Sequence, residues 1–194
     1  MEKARLPIIL LLLFLQLISY CQHDSNKISN QKSAGLLIEY GQPYYYLPEG
    51  TRYYVGLIGG NFNIPLFRAK KIFNMSVDLF PHYGFVWVVE DKKYYEFGLN
   101  VRLGFNFSIS SKDVISTKLG SGPHYVNVET TKQAKGFIFS DYYLITYKRS
   151  LSKNIKPVLI EIEFGYRHMS NAGLKMPNRS ISNFIFGLGI YKSL

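Results

Sequence analysis

The stretch that most limits what this chain can become is residues 95–108. Tyr95, Phe97, Leu99, Val101, Leu103, Phe105 and Phe107 alternate without a break with Glu96, Gly98, Asn100, Arg102, Gly104, Asn106 and Ser108. Side chains of a strand point alternately to its two faces, so one face is wholly apolar and the other carries Glu, Asn and Arg. A soluble sandwich shows alternation too, but it more often ends its strands sooner and buries the apolar face under a second sheet. Strands of about nine to eleven residues with an apolar outer face and a polar inner face are what a bilayer-crossing barrel requires. The bilayer tolerates no open sheet edge, so such strands close into a ring.

Other segments repeat the pattern less cleanly: residues 36–40, 53–59, 73–79, 85–89, 113–119, 125–128, 137–147, 158–166 and 183–191. Gly59-Gly60-Asn61 reads as a turn, Pro81 as a strand stop, and Gly120-Ser121-Gly122-Pro123-His124 as a turn in which His124 is a turn residue. No segment shows a convincing helical period. The expected fold class is all-β, an antiparallel transmembrane β-barrel of about eight strands. Sixteen tyrosines and fourteen phenylalanines suit aromatic girdles at two membrane interfaces. A barrel this small fills its lumen with side chains, so it forms no pore, and a reactive site must lie on its wall or rim.

The expected organisation is a signal peptide over residues 1–21, a flexible N-terminal segment over 22–34 and the barrel over 35–194. Glu2, Lys3 and Arg5 precede an apolar run through Leu6 to Leu15, Leu17 and Ile18, the pattern of a secretory leader. Ser19 and Cys21 fit positions −3 and −1 of a cut after Cys21. The alternative, a lipoprotein acylated on the Cys21 thiol, is opposed by the bulk of Tyr20. Export of this kind leaves the mature chain outside the cytoplasm, and for a membrane-crossing barrel the expected location is the outer membrane of a Gram-negative bacterium.

Cys21 is the sole cysteine, which excludes an intramolecular disulfide and a thiolate metal site. The four histidines are scattered, no His/Asp/Glu group has ligand spacing, and neither a metal nor another cofactor is expected. The net charge of +10 falls to +9 once Glu2, Lys3 and Arg5 leave with the leader. Such an excess favours an anionic partner. In an exported protein a phosphorylated envelope lipid fits that partner better than nucleic acid, and the charge alone fits a solubilising surface equally well.

Residues 158–166 lead into a polar run. Val158, Ile160, Ile162, Phe164 and Tyr166 form one face, and continued alternation puts His168 and Ser170 on it as well. A general base beside a hydroxyl nucleophile on an apolar surface suits a substrate that arrives from the membrane. The same two residues also occur wherever a strand runs out into a loop.

The run Tyr166-Arg167-His168-Met169-Ser170-Asn171-Ala172-Gly173-Leu174-Lys175-Met176-Pro177-Asn178 resembles the signature of the outer-membrane lipid A deacylases, or acyloxyacyl hydrolases. Gly120-Ser121-Gly122-Pro123-His124-Tyr125 and Gln133-Ala134-Lys135-Gly136-Phe137-Ile138-Phe139-Ser140-Asp141 are similar to further segments of that family, so the resemblance covers roughly the C-terminal half. It implies an eight-stranded outer-membrane barrel with a serine esterase site facing the outer leaflet, which removes an ester-linked acyl chain from lipid A or a related lipid. Carried over, Ser170 is the nucleophile, His168 the general base, and Asn171 and Asn178 stand near the oxyanion. Ser182 falls where the family has an acidic residue. Asn183, Asp141, Glu161 or Glu163 remain as substitutes, although parity turns Glu161 and Glu163 away from His168.

Two other readings stay open. A non-catalytic outer-membrane barrel that binds lipid or supports the envelope needs only the strands, the girdles and the charge. A soluble barrel with an apolar ligand would place Glu96 and Arg102 in water and the apolar face inside.

Overall fold

The computed structural model describes residues 31–45, 52–69, 72–88, 93–152 and 156–194. The leader, Cys21, most of the flexible segment and residues 46–51 of the tyrosine-rich loop lie outside the described residues. Nine strand segments follow in order: β1 (Ser33–Pro43), β2 (Tyr54–Ala69), β3 (Phe73–Trp87), β4 (Tyr94–Ser108), β5 (Asp113–Ser121), β6 (Pro123–Val126), β7 (Gly136–Ser150), β8 (Val158–Ser170) and β9 (Ile181–Ser193). Each pairs antiparallel with its neighbours, and β1 closes the ring against β9, with Leu36 opposite Ile190. β5 and β6 share the same two neighbours, β4 and β7, and are therefore two halves of one interrupted strand. The fold is an all-β, eight-stranded, closed antiparallel barrel.

The inside-out distribution of polarity decides the environment. Arg102 and Arg167 are the largest fully buried side chains among the described residues, whereas Leu188 is 63% exposed and Ile145 60%. Ions are buried only when paired, and the lumen pairs them. Arg102 donates to Glu39 at 2.6 Å and to Glu163 at 3.1 Å, and its guanidinium lies between the rings of Phe80 and Tyr142. Lys118 meets Asp78 at 2.7 Å, Glu163 at 2.8 Å and also Glu161. An apolar exterior around a charged, packed lumen is the pattern of a membrane barrel and removes the soluble alternative. This is an outer-membrane barrel.

Two expected breaks are absent, and a third shrinks to an interruption at Gly122 between β5 and β6. β2 runs straight through Gly59-Gly60-Asn61, because Gly59 is there for contact and not for a turn: a Cβ on it would sit 2.1 Å from Pro81 O. Asn61 is buried and donates to Tyr191 Oη at 3.1 Å. β3 likewise passes through Pro81, whose side chain faces outward. The β2–β3 register pairs Gly59 with His82 and resumes at Phe62 with Leu79, since proline has no N–H to offer in between. His124 belongs to β6 and its ring is buried in the lumen; it is not a turn residue. At the N-terminus β1 starts at Ser33, two residues inside the segment expected to be flexible.

Connections of 3, 4 and 7 residues (70–72, 109–112, 151–157) gather at one end, and connections of 10, 6, 9 and 10 residues (44–53, 88–93, 127–135, 171–180), longer on the whole, at the other. Short turns face the periplasm and long loops the exterior in barrels of this kind. The C-terminal end of β8 is therefore at the extracellular rim.

Candidate active site on the extracellular wall

Alternation does continue past Tyr166. Arg167 and Met169 are buried in the lumen, while Tyr166, His168 and Ser170 are half-buried on the outer face. One cross-strand row holds Asp141 of β7, His168 of β8 and Ser182 of β9. The next row toward the rim sets Phe139 beside Ser170, and the row below sets Tyr143, Tyr166 and Phe184 side by side.

The His168 imidazole leans toward β9. Its Nδ1 lies 3.2 Å from Ser182 Oγ, which in turn is 2.5 Å from the Tyr166 hydroxyl. Among the described residues no hydrogen bond joins Ser170 to His168, and the histidine's partner is a hydroxyl where the family resemblance calls for a carboxylate. The tyrosines of the loop after β1 cover this side. Tyr44 packs edge-on against Tyr45, Tyr166 and Phe184 with ring centres 5.2 to 6.0 Å apart. Tyr45 donates to Ser180 O at 2.9 Å, and burial, then the neighbouring Tyr166, push its phenol above the usual range so that it stays a donor.

Asn171 and Asn178 are occupied in shaping the rim. Asn171 donates its backbone N–H to Asn178 Oδ1 at 3.0 Å and its Nδ2 to Lys175 O at 2.5 Å, while its Oδ1 accepts from Gly173 N at 3.1 Å. Left-handed backbone at Ala172 and Gly173, with φ of 52° and 79°, closes the turn. The loop is then laced to its neighbour 127–135: Ala134 N donates to Pro177 O and Arg179 N to Lys132 O, and Gln133 bridges to Asn178. This lacing holds the loop that carries Lys132 and Lys135 against the loop that carries Lys175 and Arg179.

Below His168 the outer wall is grooved. A cleft of about 370 Å³ is lined by Leu119, Tyr143, Ile145, Phe164, Tyr166 and Phe184 among others, and almost all its surface is apolar. Tyr166 is two residues from His168 on the same face, so the groove ends about 7 Å from the imidazole along the strand.

A family model described as Lipid A 3-O-deacylase (PagL) matches residues 57–191. The chain belongs to this family. Among solved structures, the outer membrane enzyme PagL aligns with a TM-score of 0.54 at 14% identity, over 81% of this chain and 97% of that one. The outer membrane protein OprG from Pseudomonas aeruginosa aligns at 0.47 and 9% identity, over 89% and 97% of the two chains. Neisserial surface protein A aligns at 0.48 and 9% identity, over 84% and 97%. No curated protein matches the sequence.

Tyr166, His168 and Ser170 thus lie on the outer wall where parity put them, and residues 171–178 continue into the rim loop. Of the substitutes named for the family acid, Asp141 is the one that the β7–β8 register sets opposite His168, a pairing that no local pattern encodes. One feature escaped the sequence. Inside the lumen, His82, Glu96 and His124 come together from β3, β4 and β6, with one ligand-type atom of each within 4.8 Å of the others. Sequence spacing excludes such a group because the three residues are 14 and 28 positions apart. The signal that reveals it is lumen parity, once β3 is carried through Pro81 and β6 through His124.

Proposed function

We propose that this member of the deacylase family engages an anionic lipid of the outer leaflet on the outward face of β7, β8 and β9. The carrying observation is the continuity of three surfaces around His168: the apolar groove ending at Tyr166, the Tyr44–Tyr45–Tyr166–Phe184 cluster, and the cations of the two laced loops. An acyl chain lies along the groove, the rings sit at the interface, and headgroup phosphates meet Lys132, Lys135, Lys175 and Arg179. In this reading the barrel binds without cleaving. A hydroxyl at Ser182 orients the imidazole but supplies no charge to stabilise an imidazolium.

One observation favours a second reading, a serine esterase acting on lipid A or a related ester lipid. His168 and Ser170 face the lipid side by side, and Asp141 stands on the same face as a carboxylate within one cross-strand spacing. Turning the ring from β9 toward β7 exchanges the Ser182 hydroxyl for that carboxylate. Ser170 Oγ then attacks the acyl carbonyl as His168 takes its proton, and His168 returns the proton to the leaving sugar hydroxyl. Water releases the acyl group from Ser170 as a fatty acid, again through His168. The amide Nδ2 of Asn178 is the donor assigned to the oxyanion, because the backbone amide of Asn171 is already committed.

Mass spectrometry of lipid A incubated with detergent-refolded protein separates the two. Retention of intact lipid A on the native barrel, with no change in its mass, is the result expected for binding. Loss of one acyl chain with the parent but not with Ser170→Ala establishes the esterase instead.

A further inference from the structure

We propose that His82, His124 and Glu96 form a binding site for a divalent transition-metal ion inside the extracellular half of the lumen, distinct from the lipid-facing wall. The two histidines are prepared identically. Each has its Nδ1 on the carbonyl of the residue two positions earlier, His82 with Phe80 O at 3.0 Å and His124 with Gly122 O at 2.9 Å. A carbonyl only accepts, so Nδ1 carries the hydrogen and Nε2 is left as a bare lone pair. This is the arrangement that fixes the tautomer of a metal-ligating histidine.

Both lone pairs are buried and unmet. His82 is 6% exposed and His124 2%, and neither Nε2 has a hydrogen-bond partner among the described residues. The rings face each other with centres 4.6 Å apart. Two acceptors cannot satisfy one another, so the pair calls for something that accepts electrons from both. Glu96 completes the set. Arg167 Nη2 donates to its Oε1 at 2.5 Å and the Tyr53 hydroxyl to its Oε2 at 2.7 Å, which hold the carboxylate in place as outer partners and leave lone pairs for a metal.

Size and charge agree. Ligand atoms around a four-coordinate metal of this class stand about 3.4 Å apart, so a set already within 4.8 Å closes by small side-chain shifts. Five buried carboxylates (Glu39, Asp78, Glu96, Glu161 and Glu163) outnumber the lumen cations Arg102, Lys118, Arg167 and the nearly buried Lys148. A lumen with neutral histidines therefore has room for added positive charge. Two imidazoles and one carboxylate select zinc, cobalt, nickel or copper over magnesium or calcium. Bound there, the ion ties β3, β4 and β6 together. It also loads the carboxylate that holds Arg167, the residue next to His168.

The test is cobalt(II) titration of the full chain, refolded into detergent with chelator and then without, and followed by visible absorbance, with zinc competition. One equivalent, intense bands of a low-coordinate site and at least ten-fold weaker binding in His82→Ala and in His124→Ala are expected. His168→Ala, on the outer wall, keeps the site. Because either lumen variant can fail to fold, the copper(II)-loaded parent is examined by electron paramagnetic resonance, where two bound imidazole nitrogens are expected. A folded parent that takes up no stoichiometric metal, or one whose spectra report only water-like oxygen ligands, overturns the site.

Discussion

Asp141 of β7 and Ser182 of β9 are the two cross-strand partners of His168, one on each flank and both on the lipid-facing side. The ring is a partner of the hydroxyl, 3.2 Å away, yet only the aspartate can carry the charge that a catalytic imidazolium needs. If the barrel cleaves lipid, Asp141→Asn lowers the rate of acyl release at least ten-fold, and up to about 10⁴-fold if the carboxylate orients the base throughout the reaction. Ser182→Glu puts a carboxylate at the nitrogen's present partner and raises the rate. Acyl release from lipid A, timed by mass spectrometry, reads both. An active parent indifferent to Asp141→Asn reduces the machinery to Ser170 and His168.

Arg102 is the keystone of the lumen, bonded to Glu39, Glu163 and Asn100 with no exposure to water. Removing one member of a buried ionic group strands the others, a loss of about 3–5 kcal/mol. Arg102→Met is therefore expected to lower the unfolding free energy of the lipid-reconstituted barrel by that amount, read from the midpoint and slope of its urea transition. A change under about 1 kcal/mol would mean that the lumen admits enough water to solvate Glu39 and Glu163.

What could be read from the sequence follows the same division between local and long-range information. Residues 95–108 announce their two faces in full, and β4 has them as written, with Glu96, Asn100 and Arg102 inside and Phe97, Leu99 and Val101 outside. His168 and Ser170 inherit their outward direction from parity alone. Gly59, Pro81 and Gly122 mislead because glycine and proline commonly punctuate soluble chains. In this closed barrel Gly59 and Gly122 let backbones approach, and the outward Pro81 needs no partner for an N–H it lacks. Asp141 beside His168, and His82 beside His124, depend on register between strands, which is a tertiary property.

Gly122 gives a direct check of the close-approach argument. A Cβ there would lie 1.9 Å from Leu99 O, a contact with backbone that no side-chain rotation relieves. Gly122→Ala is expected to push β6 from β4 and to prevent the heat-sensitive shift in gel mobility that reports barrel closure. Gly173→Ala serves as the contrast, since nothing lies within 4 Å of its Cβ position and only its φ of +79° is strained. That variant closes the barrel and disturbs the rim alone.

The rim cations carry the last expectation. Lys175 and Arg179 are exposed on the loop after β8, and the hydrogen bonds from Arg179 N to Lys132 O and from Ala134 N to Pro177 O hold that loop against its neighbour. Each basic residue near an anionic lipid surface is worth about 1 kcal/mol. Replacing both with alanine should weaken lipid A binding roughly thirty-fold in native mass spectrometry of the detergent-released barrel. Dephosphorylated lipid A should bind parent and variant alike, because the groove below His168 is unchanged. Equal loss for both lipids would assign these side chains to loop structure, and the headgroup would then have to be met by Lys132 and Lys135 alone.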